Sequence, residues 1–364
     1  MKPDQHAGLL QRLQAMLREE LRQLTLVQSS DRVWQMPFAA ALASGFPLLV
    51  GAYFGRLDYG LISSLGGMVF LYLPGTPLYH RMILVMACAF GMAASFTLGV
   101  MSHFFPPLMV PALIFTTILV TMVCRFYGLG PPGSLFFIMA ASLGAYSPTD
   151  AGQLPLMVGL ITMGSLQACL IAFFYSVYIV RRQTPKPVPP LPAPSFDFVV
   201  FDSVVIGVFV GIALALAQAL QLERAYWVPV SCLAVIQGAS LRAVWTRQLH
   251  RVLGTSLGLL LAWGLLLLPL NEWTLALIMM ALSFIIESIV VRHYALATVF
   301  ITPLTLLIAE AATFGQGVPA VLIQARFVDT LLGCFIGLVG GMCLHSGRFR
   351  EMVGKPLRRL IPGA

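Results

Sequence analysis

Few residues in this chain could do chemistry, and most of them lie in its second half. Glu287 sits in Ser283-Phe-Ile-Ile-Glu287-Ser-Ile-Val-Val-Arg292, an acid inside an apolar stretch. A carboxylate there is costly unless it faces a partner or a cavity. Two readings stand side by side: it pairs with Arg292 or another loop arginine, or it carries a coupling proton. Asp329 follows Arg326 by three residues, so on a helix the two share a face. A local ion pair is the plain reading, and a second proton-coupling carboxylate the other. Arg242, Arg247, His250 and Arg251 fall within ten positions, with Arg247 and Arg251 one helical turn apart. Such arginines anchor a helix to lipid phosphates. They also make an electropositive mouth and can hold a carboxylate by two parallel hydrogen bonds. Arg292 and Arg125 join them as candidate cations for an anionic substrate.

Enzyme chemistry finds no footing. The chain contains neither G-x-x-x-x-G-K-[ST] nor H-E-x-x-H. Gly128-Leu-Gly-Pro-Pro-Gly133 imitates a nucleotide loop, but it follows an apolar helix and contains two prolines. His6, His80, His103, His250, His293 and His345 are spread over loops and span ends. No metal, cofactor or catalytic residue is therefore expected. The cysteines, Cys88, Cys124, Cys169, Cys232, Cys334 and Cys343, form no C-x-x-C and read as small buried hydrophobes.

The elements that position these residues are membrane helices. Of 364 residues 59% are hydrophobic and 10% charged, against about 25% charged in soluble domains. The net charge of +8 is that of positively charged cytoplasmic loops rather than of a nucleic-acid binder. Residues 1–30 form a cytoplasmic N-terminal segment, whose Leu10, Leu13, Leu17, Leu21 and Leu24 make the apolar stripe of a helix over 4–25. That helix either lies on the leaflet or dimerises. The polar N-terminus is no cleavable signal, so the first span is expected to direct insertion. A first repeat over 31–180 holds spans near 36–55, 59–74, 82–102, 108–127, 131–148 and 155–180. A second over 198–346 holds spans near 199–220, 226–241, 250–270, 273–291, 295–313 and 327–345. Several are short or broken by Pro or Gly, and their freed backbone groups need partners inside the membrane. Between the repeats, 181–197 is a Pro-rich linker expected to be extended; 347–364 is a basic tail.

The fold class is all-α: a polytopic membrane protein of about 12 transmembrane helices in two parallel six-helix repeats, both termini cytoplasmic. At a constant offset of 167, Tyr59 meets Tyr226, Gly91 meets Gly258, and Arg125, Tyr127 and Leu129 meet Arg292, Tyr294 and Leu296. Repeats of six spans share one orientation. All Lys and Arg except Arg56, Arg224 and Arg326 fall on the N-terminal side of these spans, which makes that side cytoplasmic.

A motif runs through the second repeat. Tyr226 and Trp227 suit a membrane boundary, where a ring sits half wet. Gln237-Gly238, Arg247 and Arg251 follow, and then Gly254, Thr255 and Gly258, small residues at a spacing that lets helices approach closely. With Tyr294-Ala-Leu-Ala-Thr298, Phe300-Ile-Thr-Pro-Leu304 and Arg326…Asp329-Thr330…Gly333, this pattern resembles the fusaric acid resistance (FUSC) family. That family includes bacterial aromatic carboxylic acid exporters, with plant aluminium-activated malate transporters as distant relatives. The large cytosolic domain of bigger relatives is absent here. The resemblance implies an inner (plasma) membrane transporter exporting aromatic or other carboxylic acids in exchange for protons. Its expected partners are the carboxylate substrate, protons and the lipid bilayer, with a homodimer by analogy to the plant relatives and a periplasmic adaptor protein as in some family exporters. A passive organic-anion channel and a non-transporting membrane scaffold are the alternatives.

Overall fold

The computed structural model describes residues 29, 32–147, 150–192, 195–313 and 319–360; the amphipathic segment expected over 4–25 lies outside them. Every apolar run becomes a helix, and the described residues contain no strand. The first half comprises α1 (Gln35–Tyr53), α2 (Leu57–Gly67, continued by a 3-10 turn, Met68–Tyr72), α3 (Leu78–His103), α4 (Met109–Phe126), α5 (Leu135–Ala145) and α6 (Leu154–Val180). The second comprises α7 (Asp202–Ala219, entered through a π-turn, Asp197–Phe201), α8 (Trp227–Ile236), α9 (Leu241–Leu266), α10 (Glu272–Ile289), α11 (Tyr294–Thr313) and α12 (Pro319–His345). The basic tail is not loose: it forms α13 (Gly347–Leu360). Local chemistry sets several starts. Ser240 caps α9 by accepting from the Ala243 N–H, and Asn271 and Thr274 form a reciprocal capping box at α10.

Among the described residues twelve apolar helices are present where twelve spans are expected, but they are not twelve equal crossings. Eight are long and apolar enough to cross a membrane; Leu57–Tyr72, Leu135–Ala145, Trp227–Ile236 and Tyr294–Ile308 are shorter. The short ones are the second and fifth of each half. The halves also pair their helices alike. The third helix packs on the fifth and sixth, and the second on the sixth, in both halves. Between the halves, α1 packs on α10 and α4 on α7, while α2 touches α11 and α5 touches α8.

Small residues make these approaches possible. Pro47 in α1 and Pro303 in α11 offer no N–H to the carbonyls four residues earlier. Those carbonyls, on Ala43 and Val299, lie against Gly67 and Gly258 of the neighbouring helices. The linker is extended, as expected, and it is also anchored. The Lys186 N–H donates to the Gly75 carbonyl at 2.9 Å, and Pro192 packs on Gly128, so it crosses two loops of the first half.

Candidate anion site in the second half

α8 is apolar on every side, and all ten residues are buried, as an all-round hydrophobic helix in an interior must be. Its rise of about 15 Å is half of a hydrocarbon core of about 30 Å, so its ends stop inside the protein and need partners there. α5 runs antiparallel beside it and supplies some. Gln237 Nε2 donates to Ser134 Oγ at 2.6 Å, and the Tyr226 ring lies 5.7 Å from that of Tyr146. His345 donates to the Gly238 carbonyl at 3.1 Å. In the first half Tyr72 donates to the Gly133 carbonyl and His103 to that of Ala145.

Around α8, α9 and α12 bring charge into this interior, and α11 brings a tyrosine hydroxyl. Arg251 of α9 is 6% exposed. Its Nη1 reaches Tyr294 Oη and its Nη2 reaches Ser231 Oγ, both at 3.4 Å, long for hydrogen bonds; its Nε has no partner. Arg326 of α12 is 3% exposed. Its guanidinium lies 4.3 Å from the centre of the Trp227 ring, a cation–π contact, and its Nε and Nη1 have no hydrogen-bond partner. Asp329 is 1% exposed, and neither carboxylate oxygen has a partner. The local Arg326–Asp329 ion pair expected from spacing does not form. Trp227 and Ser231 are one turn apart on α8, so the two arginines touch that helix at points about 6 Å apart along it.

Two arginines and one aspartate leave an excess positive charge in a water-poor interior, with five polar atoms unpartnered. Buried polar groups are normally hydrogen-bonded, and buried charge calls for a counter-charge. A small anion answers the three guanidinium nitrogens and the excess charge; the two Asp329 oxygens, acceptors only, call for a proton or a donor instead. At the 167-residue offset the first half places Leu84, Gly159 and Thr162 opposite Arg251, Arg326 and Asp329, so the cluster belongs to one half only.

The other candidates are placed differently. Arg247 is half-buried on α9 and Arg292 is exposed beyond α10. Arg125 is committed elsewhere: Nη1 donates to Asp202 at 2.6 Å and to the Phe198 carbonyl. Glu287 pairs with Arg32 at 3.4 Å, which is another loop arginine and not Arg292. Tyr226 and Trp227 are enclosed by protein rather than half wet at a boundary. Gly254 and Gly258 face Thr298 and Thr302 of α11, so two stretches of the sequence motif pack on each other; Thr255 is buried beside them. Sequence reasoning missed Arg32, Ser231, Asp202 and Arg350 as partners. Asp202 was open to the rule applied to Glu287, being an acid inside an apolar run.

Residues 204–340 match the family model described as fusaric acid resistance protein-like, which bears out the resemblance read from the motif. The chain is also similar to the uncharacterized membrane protein YvaC of Bacillus subtilis, at 23% identity across 96% of this chain and 78% of that protein. No solved structure matches. Helices and relative together make this a multi-pass membrane protein.

Proposed function

With residues 204–340 forming a fusaric acid resistance-like unit, we propose that the chain is an inner-membrane transporter that moves organic acids together with protons and performs no catalysis on them. The observation that carries this reading is the pair of buried, under-partnered guanidinium groups of Arg251 and Arg326. Arg251 and Arg326 take the acid group, the Trp227 face holds Arg326 in place, and Arg247 and Arg292 form the basic mouth that concentrates anions. Asp329 is the coupling carboxylate, because its oxygens are unpartnered on the same helix face as Arg326, whereas Glu287 is engaged by Arg32. Protonating Asp329 raises the local positive charge and favours the anion; releasing the proton restores the carboxylate and disfavours it. Proton and anion therefore bind together, which links their movement in one direction rather than in the exchange the family resemblance implies.

The test is flux of a panel of aromatic and aliphatic carboxylates in proteoliposomes, read together with internal pH. Wild type is expected to accumulate acid against its gradient when protons flow in the same direction. Arg326→Gln loses saturable flux, and Asp329→Asn keeps downhill exchange but loses uphill transport. Flux that only runs downhill and is unchanged in Asp329→Asn would make the protein a passive anion channel. No flux of any acid would remove the transport reading altogether.

A further inference from the structure

The halves meet along two outer seams. Gly45 of α1 lies against Met280 of α10, and Gly211 of α7 lies against Ile114 of α4. Gly211 is 166 positions after Gly45, and Ile114 is 166 before Met280. At the basic end of the bundle each seam carries an ion pair. Arg32, just ahead of α1, pairs with Glu287 near the end of α10. Asp202, at the start of α7, pairs with Arg125 at the end of α4. The charges are exchanged between the seams: cation then anion in one, anion then cation in the other. Arg32 is 13 positions before Gly45 and Asp202 is nine before Gly211, a displacement of one turn. The second pair has a third member. Arg350 of α13 donates to the other Asp202 oxygen at 2.6 Å. α13 is held there by Phe349, Val353 and Leu357, which pack on Phe201, Val205 and Leu344.

We propose that these two ion pairs latch the halves together over the Arg251–Arg326 site at the basic end, and that α13 locks the α4–α7 seam alone. The apolar parts of each seam contribute van der Waals packing but no hydrophobic driving force, because lipid tails are as apolar as the side chains they would replace. The pairs differ in kind. Parting them leaves buried or half-buried charge without its partner. Any movement of one half against the other that opens this end must therefore break Arg32–Glu287 and Arg125–Asp202.

The test reads access rather than flux. Cys334 is buried in a cluster with Val235 and Val244, close enough to Arg251 and Arg326 to feel both charges. Kept as the sole cysteine, it is labelled with a membrane-impermeant maleimide in inside-out vesicles. Glu287→Gln and Arg350→Gln are each expected to speed labelling about tenfold, equivalent to about 1.4 kcal/mol in the open population. The exchange Arg32→Glu/Glu287→Arg is expected to return the rate to that of the parent. Arg350→Gln leaves Asp202 paired with Arg125, so folding is retained. Unchanged rates in both single variants, or an exchange variant as fast as Glu287→Gln, would overturn the latch; acceleration in Glu287→Gln alone would overturn the part given to α13. Labelling needs no substrate, so a protein that moves no acid still gives this result, and the two failures are distinguishable.

Discussion

Gly258→Ala and Gly264→Ala are the same substitution on the same helix, and their effects on stability should differ. Both gain about 1 kcal/mol of intrinsic helix propensity. At Gly264 a new Cβ meets nothing within 4 Å, so that gain is kept. At Gly258 it would stand 2.5 Å from the Val299 carbonyl oxygen and 2.7 Å from Thr302 Cβ. Neither is the far end of a flexible side chain, so α9 and α11 must separate. Overpacking of this kind costs about 1–3 kcal/mol. Propensity cancels in the comparison, so Gly258→Ala should be less stable than Gly264→Ala by about 1–3 kcal/mol. Equilibrium unfolding in mixed micelles, followed by tryptophan fluorescence, measures that difference. Anion affinity should fall in Gly258→Ala, since α9 carries Arg251, and should hold in Gly264→Ala. Equal stability of the two variants would refute the claim that the α9–α11 seam is set by glycine.

The ion pairs at the basic end should rank by burial. Asp202→Asn strips the shared partner from two arginines and should cost about 3–5 kcal/mol. Arg350→Ala leaves one pair intact and should cost about 1.5 kcal/mol. Arg358→Ala removes a half-exposed partner of Asp197 and should cost less than about 1 kcal/mol; denaturant titration of the three variants checks the order. Trp227→Leu removes the ring beneath Arg326 and should weaken anion-dependent thermal stabilisation by an amount worth about 0.5–2 kcal/mol. Trp227→Phe should restore part of it.

Much of the membrane architecture was legible in the sequence because hydropathy is additive along the chain. Twelve apolar runs and their order follow from composition and backbone chemistry alone. The motif glycines were readable for the same reason, since Gly254 and Gly258 lie on one helix face whatever they touch. Partner identity was not. Arg326 and Asp329 share a face by spacing, yet they do not pair; the Trp227 ring lies against the Arg326 guanidinium. Arg125 has the position of a pathway cation, but Asp202, 77 residues away, takes it. Glu287 finds Arg32 across 255 residues. Local sequence determines which residues are costly to bury, because desolvation belongs to the single side chain. Only the tertiary structure decides which opposite charge offsets that cost, because Coulomb attraction depends on the distance between helices that the chain places far apart.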